Sequence, residues 1–200
     1  MTTTTTKRSR TKPAEVRRDE LMDAAQALFM EKGFAATSVA EIVEGAGVAK
    51  GTFYTYFQSK DEVLAALRER FIEGFRDRVA GAVDACHGSW MDKLEACAEA
   101  CVNAYLDEVV LHDLVFHQYQ PGNRALKSEN PVVTCLVGML REGEGAGAWR
   151  LVTPRLTAVM LFGAFHGAVD EALSRDEAAD RASLVGAVVR FWRNALTTAA

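Results

Sequence analysis

The sequence predicts an all-α protein: an N-terminal three-helix domain of helix-turn-helix form, followed by a larger C-terminal helical domain. Three observations carry this expectation. Apolar residues recur at helical spacing through most of the 200-residue chain, and no stretch shows the alternation of a strand. Between Thr37 and Lys60 two short amphipathic segments flank a glycine turn. The last two apolar segments, Pro154 to Leu173 and Glu177 to Thr197, are apolar on more than one side, so each needs two surfaces to pack against.

Taken in order, residues 1–12 are a threonine run followed by KRSRTK, with almost nothing to bury; they are expected to form a disordered basic arm. Pro13 suits a helix start. A first helix over about Ala14 to Lys32 places Leu21, Ala24, Ala25, Leu28 and Phe29 on one face, and Gly33 ends it. Phe34 is expected to fold back into the core. Ser38 and Glu41 have the spacing of a capping box, ahead of a second helix carrying Val39, Ile42, Val43 and Ala46. Gly45 and Gly47 are expected to break that helix. A third runs from about Ala49 to Tyr56, and Ser59 with Glu62 signals the start of a fourth.

The third helix has an unusual outer side. With Phe53 and Phe57 facing inward, Lys50, Gly51, Thr52, Tyr54, Thr55 and Tyr56 lie outside or at the margin. Hydroxyls of tyrosine and threonine donate to phosphate oxygens or base edges, and threonine methyls meet thymine methyls. Gly51 allows the helix backbone to come close to a sugar-phosphate chain. Lys60 adds a cation at the next helix start. A small helical hairpin with incidental tyrosines has the same spacing. The local charge argues against it, because residues 1–18 hold six basic residues and one acid while residues 61–200 hold fourteen basic and twenty acidic.

The stretch GFAATSVAEIVEGAGVAKGTFYTYFQSKDEVLAAL resembles the N-terminal domain of the tetracycline-repressor (TetR) family of bacterial transcription regulators. The resemblance runs from about Arg17 to Phe75 and is densest over VAKGTFYTYFQSKDEVL. Ala49 stands where the family pattern has serine or threonine, so one hydroxyl contact is missing. Carried over by position, the resemblance implies that Thr37, Lys50, Gly51, Thr52, Tyr54, Tyr56 and Lys60 contact DNA. It also implies a homodimer held by a four-helix bundle from the last two helices of each protomer.

In the fourth helix, to about Asp84, Val63, Leu64, Leu67, Phe71 and Phe75 form one stripe. After a break at Gly88 and Ser89, a fifth carries Leu94, Cys97, Ala98, Cys101, Val102, Tyr105, Leu106 and Val109. A short helix and a loop are expected before Pro131, then a helix to Glu144 with Val132, Cys135, Leu136, Met139 and Leu140 inward. EGEGAGA reads as a glycine connector; it lacks the ending of a phosphate loop. The domains expected are therefore 1–12 as the arm, 13–60 as the helix-turn-helix domain with a bridging helix over about 60–84, and 85–200 as a ligand-binding and dimerisation domain.

Within the body, Cys97, Cys101, Tyr105, Phe116 and His117 could line a mostly apolar pocket with Met139, Phe162, Phe165 and His166. The same residues would equally fill a core. Val185, Val188, Val189 and Trp192, with the small residues Gly163 and Gly167, are expected at the subunit interface. The four cysteines show no zinc spacing, the four histidines no ligand motif, and no nucleophile elbow or dinucleotide fingerprint occurs. No metal, cofactor or catalytic residue is expected. The longest nearly apolar run, Leu156 to Val169, has fourteen residues, too few to span a membrane, and the N-terminus lacks a signal peptide's apolar core. The expectation is a cytoplasmic homodimer that binds double-stranded operator DNA and is released by a small organic effector. Two rivals stand beside it: a helical ligand-binding or enzymatic module that no longer reads DNA, and an activator of the same build.

Overall fold

A computed structural model describes residues 14–117, 130–175 and 180–197. The expected basic arm, the loop expected before Pro131 and the expected helix start at Glu177 lie outside the described residues. Among those residues there are nine helices and no strand. The chain divides into two compact units, Met1–Leu67 and Arg68–Ala200.

In the first unit, α1 (Ala14–Lys32) buries Leu21, Met22, Ala25 and Phe29. Gly33 stops it at φ +88°, a backbone setting that costs a side-chain-bearing residue strain. Phe34 is half-buried, its ring edge-on to Phe29 with centroids 5.1 Å apart. α2 (Val39–Gly45) opens on the full capping box: the Ser38 hydroxyl accepts from the Glu41 amide at 3.3 Å and the Glu41 carboxylate accepts from the Ser38 amide at 2.9 Å. Lys32 pairs with the same carboxylate. Of the two glycines expected to break α2, only Gly47 does so, at φ +63°. Gly45 is the last helical residue, and a Cβ there would meet Ala24 of α1 at 3.4 Å. The turn closes through Gly47 N donating to Glu44 O (3.0 Å) and Val48 N donating to Val43 O (3.0 Å). α3 (Lys50–Tyr56) follows, with Phe53 and Phe57 buried. α4 (Lys60–Ala85) then gives Val63, Leu64, Ala66 and Leu67 to the same core.

The second unit takes the rest of α4 and five further helices: α5 (Trp90–Asp107), α6 (Val109–His117), α7 (Pro131–Gly145), α8 (Pro154–Ser174) and α9 (Arg181–Thr197). Ser89 and Asp92 form a second capping box at the start of α5. The expected stripe of α5 is buried from Leu94 to Tyr105, but the helix ends two residues short of Val109. Glu108 leaves helical geometry, its amide donating to Tyr105 O at 3.1 Å while its carboxylate meets Arg78 at 3.0 Å. No glycine or proline marks that break; a tertiary ion pair accompanies it.

α7 runs one residue past Glu144, so the glycine stretch is partly helical. A Cβ at Gly143 would overlap the Trp149 ring, which folds back over the helix and donates from Nε1 to Leu140 O at 2.8 Å. α8 packs on α5, α7 and α9, and α9 packs on α5. Leu156 to Val169 is part of a 21-residue helix, which by length and composition alone is long and apolar enough to cross a membrane. That corrects the expectation drawn from the apolar run. The inner face of α8, Ala158, Leu161, Phe165 and Val169, is buried among helices of its own unit. Leu156, Met160, Gly163 and Gly167 are exposed on the opposite side.

The expected interface residues divide accordingly. Val188 and Trp192 belong to the protomer's own core: Trp192 has no exposure and its Nε1 donates to Leu161 O at 3.1 Å. Val185 and Val189 are half-buried. Trp192 and Val188 of α9 are therefore consumed inside one chain, and the outward apolar surface comes from α8, from the part-exposed Val185 and Val189, and from Phe191, which is 53% exposed.

Candidate nucleic-acid interface

The candidate face is the outer side of α3, held from below by its own rings. Phe53 is fully buried, 5.9 Å from Phe57 and 5.4 Å from Tyr54 between centroids. The Arg18 guanidinium of α1 lies over the Phe57 ring at 5.4 Å. With its inner side fixed, α3 leaves Lys50, Gly51, Tyr54 and Thr55 exposed and Thr52 and Tyr56 half-buried. The Thr55 hydroxyl donates back to Gly51 O at 3.2 Å, so its methyl and remaining lone pairs are what it offers outward. A Cβ at Gly51 would meet nothing within 4 Å, so the fold itself does not require glycine there.

Two of the residues named from the resemblance are engaged elsewhere. Thr37 is 2% exposed, and its hydroxyl donates to Gly33 O (2.9 Å) and Leu28 O (3.4 Å), closing the end of α1. Lys60 donates from Nζ to three carbonyls, Phe34 (2.7 Å), Ala35 (3.2 Å) and Thr37 (2.9 Å), and stands 4.5 Å over the Phe34 ring. These side chains face their own unit. No local signal in the sequence distinguishes them from outward-facing ones, because their partners are loop carbonyls.

In the second unit, the structure gathers Tyr105, Phe116, Phe162, Phe165 and His166 of the expected pocket set into one aromatic cluster. His112 sits at its centre, 3.8 Å from the Tyr105 ring and 5.5 Å from His166. Phe71 and Phe75 of α4 join it. His112 is missing from the sequence-based set. The Tyr105 hydroxyl donates to Asp170 at 2.6 Å, and burial first, then that bond, pushes the phenol above its ordinary value. His112 Nδ1 lies 3.3 Å from Asp113. The cluster is a set of packed rings with polar edges. Met139 is buried on α7. Cys97 and Cys101 are buried and hydrogen-bonded to each other, which with burial raises the Cys101 thiol well above its usual range. The His117 side chain lies outside the described residues.

The sequence pattern of bacterial regulatory proteins of the tetR family matches residues 21–67, the segment that builds this face. Residues 21–67 thus form an N-terminal segment of TetR type. Among curated relatives, the HTH-type transcriptional repressor KstR2 of Mycobacterium tuberculosis is 37% identical over 101 residues, 46% of this chain and 50% of that protein. The match thus spans about half the length of the curated relatives. Two solved structures share the fold across nearly the whole chain. A Rhodococcus sp. RHA1 protein of unknown function has a TM-score of 0.77 and 19% identity, covering 96% of this chain and 99% of its own. The transcriptional regulator FadR of Bacillus subtilis, solved in complex with stearoyl-CoA, has a TM-score of 0.73 and 23% identity, covering 89% and 98%. At those identities the likeness is one of fold. The TetR-like match is confined to the N-terminal segment, and the body shares its fold with these two structures.

Proposed function

We propose that this chain is a homodimeric, cytoplasmic transcriptional repressor that binds a near-palindromic operator and leaves it on binding a small organic effector. The observation that carries the reading is the outer side of α3, where a lysine, hydroxyls and an unneeded glycine share one exposed helical surface. Lys50 and Tyr56 would meet phosphates, and Thr52 with Tyr54 would reach base edges. The dimer rests on the outer face of α8, with Leu156 55% and Met160 56% exposed beside Gly163. Two such heads would read half-sites about one helical turn apart.

The effector reading rests on the aromatic cluster around His112 and His166. A ligand that parted these rings would have a large apolar or aromatic body and a polar group for the imidazoles and Tyr105. Fatty-acyl thioesters are one class to try, since a protein of this fold holds stearoyl-CoA. Selection of random duplexes by the purified protein, followed by gel shift on the enriched site, tests the DNA reading. Enrichment of a two-fold symmetric site is the expected result; recovery of no sequence would favour a helical ligand-binding module. Release of the bound duplex by an acyl thioester or aromatic acid, and not by the free head group, tests the effector class.

A further inference from the structure

We infer that Lys60 is not a phosphate contact but the strap that closes the helix-turn-helix segment end to end and so positions α3. The inference rests on the DNA-binding reading above. Thr37 precedes α2 and Lys60 follows α3, and the two are joined directly by the Lys60 Nζ donating to Thr37 O at 2.9 Å. The other two ammonium protons go to Phe34 O at 2.7 Å and Ala35 O at 3.2 Å. An ammonium has three donors, and here all are used. The Phe34 ring supplies a fourth, apolar side 4.5 Å below the charge, and that ring is itself set by Phe29 in the core of α1.

Each partner has a reason to want the cation. Gly33 to Thr37 is a loop between two helices, so its carbonyls have no helical donors, and leaving them unmet would cost the loop its conformation. The Thr37 hydroxyl closes the α1 side of the same loop and Lys60 closes the α3–α4 side. To meet a phosphate, Nζ would have to abandon three carbonyls and a ring and turn their negative ends toward the anion. Lys50 has the opposite setting: it is exposed at the first position of α3.

The two roles predict different salt behaviour. Each phosphate contact contributes about 0.9 to the slope of log K against log salt. Lys60→Met should weaken operator binding about tenfold, on the scale of a lost charged hydrogen bond, with the slope unchanged. Lys50→Met, the control, should lower the slope by about one. Lys60→Arg should fail to restore affinity, because a planar fork does not fit three carbonyls around one point. Phe34→Leu should weaken binding as well and be non-additive with Lys60→Met. In the free protein, the Thr37 amide, which shares the Phe34 carbonyl with Lys60, should exchange about tenfold faster in Lys60→Met, while the Gly47 amide keeps its rate.

A slope lowered by about one in Lys60→Met, or wild-type affinity in Lys60→Arg, would overturn the strap. So would a loss of binding that merely tracks the unfolded fraction measured by urea titration. The exchange measurement needs no DNA. A wild-type protein that selects no operator while Thr37 exchange responds to Lys60→Met would overturn the regulator reading and support the strap.

Discussion

A methyl group at Gly51 would touch nothing in the protein, yet glycine inside a seven-residue helix weakens it. Gly51→Ala should therefore stabilise the first unit by about 0.5–1 kcal/mol while weakening operator binding, because the added carbon occupies space against the sugar-phosphate chain. Opposite signs in urea unfolding and in gel shift are the expected outcome; a gain in both would mean the backbone does not come close to DNA there. Glu41 supplies a second residue-level prediction. Its bond from Lys32, with those from the Ser38 amide and hydroxyl, lowers its carboxyl from 4.5 to about 2. A folded-state value below the unfolded one adds stability that is complete above the unfolded value and is lost as pH falls toward the folded one. The first unit should lose this contribution between about pH 4.5 and 2, and Glu41→Gln should remove that part of the acid dependence. Amide exchange across α2 during an acid titration measures it.

At the scale of the element, the proposed dimer would use the outer face of α8, so that face is where packing between chains can be tested apart from packing within one. A Cβ at Gly163 meets nothing within 4 Å in the protomer, so Gly163→Leu should leave the fold intact and improve helix propensity. Wedged between two copies of α8, the same side chain should shift sedimentation from dimer to monomer. A dimer that survives Gly163→Leu together with Met160→Glu would place the interface elsewhere. Val188→Glu behaves differently, since Val188 is 3% exposed and its carboxylate would enter the protomer core. The result should be misfolded protein, at a cost on the order of several kcal/mol, not a clean monomer. That difference marks what the sequence makes legible. Helix starts written within four residues, such as Ser38 with Glu41, and stripes such as Val63, Leu67 and Phe71 could be read directly. Which surplus apolar face of α9 turns inward could not, because Trp192 is claimed by a carbonyl of α8 far along the chain. The same is true of Lys60, whose carbonyl partners are more than twenty positions away, and of His112, whose place depends on rings from α4, α5 and α8. The α3 face was legible because a short helix with two buried phenylalanines leaves its other residues only one direction to go.

At the scale of the whole molecule, α4 is the element common to both units: it begins with Lys60 in the first and carries Phe71 and Phe75 into the aromatic cluster of the second. A ligand that parts Phe71 from His112, now 5.9 Å away between centroids, would act on the same helix whose first residue straps the reading head. Two heads docked on one duplex must keep the groove spacing, so a few ångströms of displacement at the end of α4 would disfavour simultaneous docking. The ligand can move this equilibrium only by its differential affinity for the two states, typically about 1–3 kcal/mol. Linkage then fixes the test. If effector weakens operator binding by some factor, saturating operator must weaken effector binding by that same factor, measured by calorimetry with and without the duplex. On the proposed mechanism Phe71→Ala should reduce both factors together, since it removes the Phe71–His112 ring contact, while the salt slope of operator binding in the absence of effector stays that of the wild type. Effector affinity indifferent to operator would mean that α4 transmits nothing and that release, if it occurs, proceeds by another route.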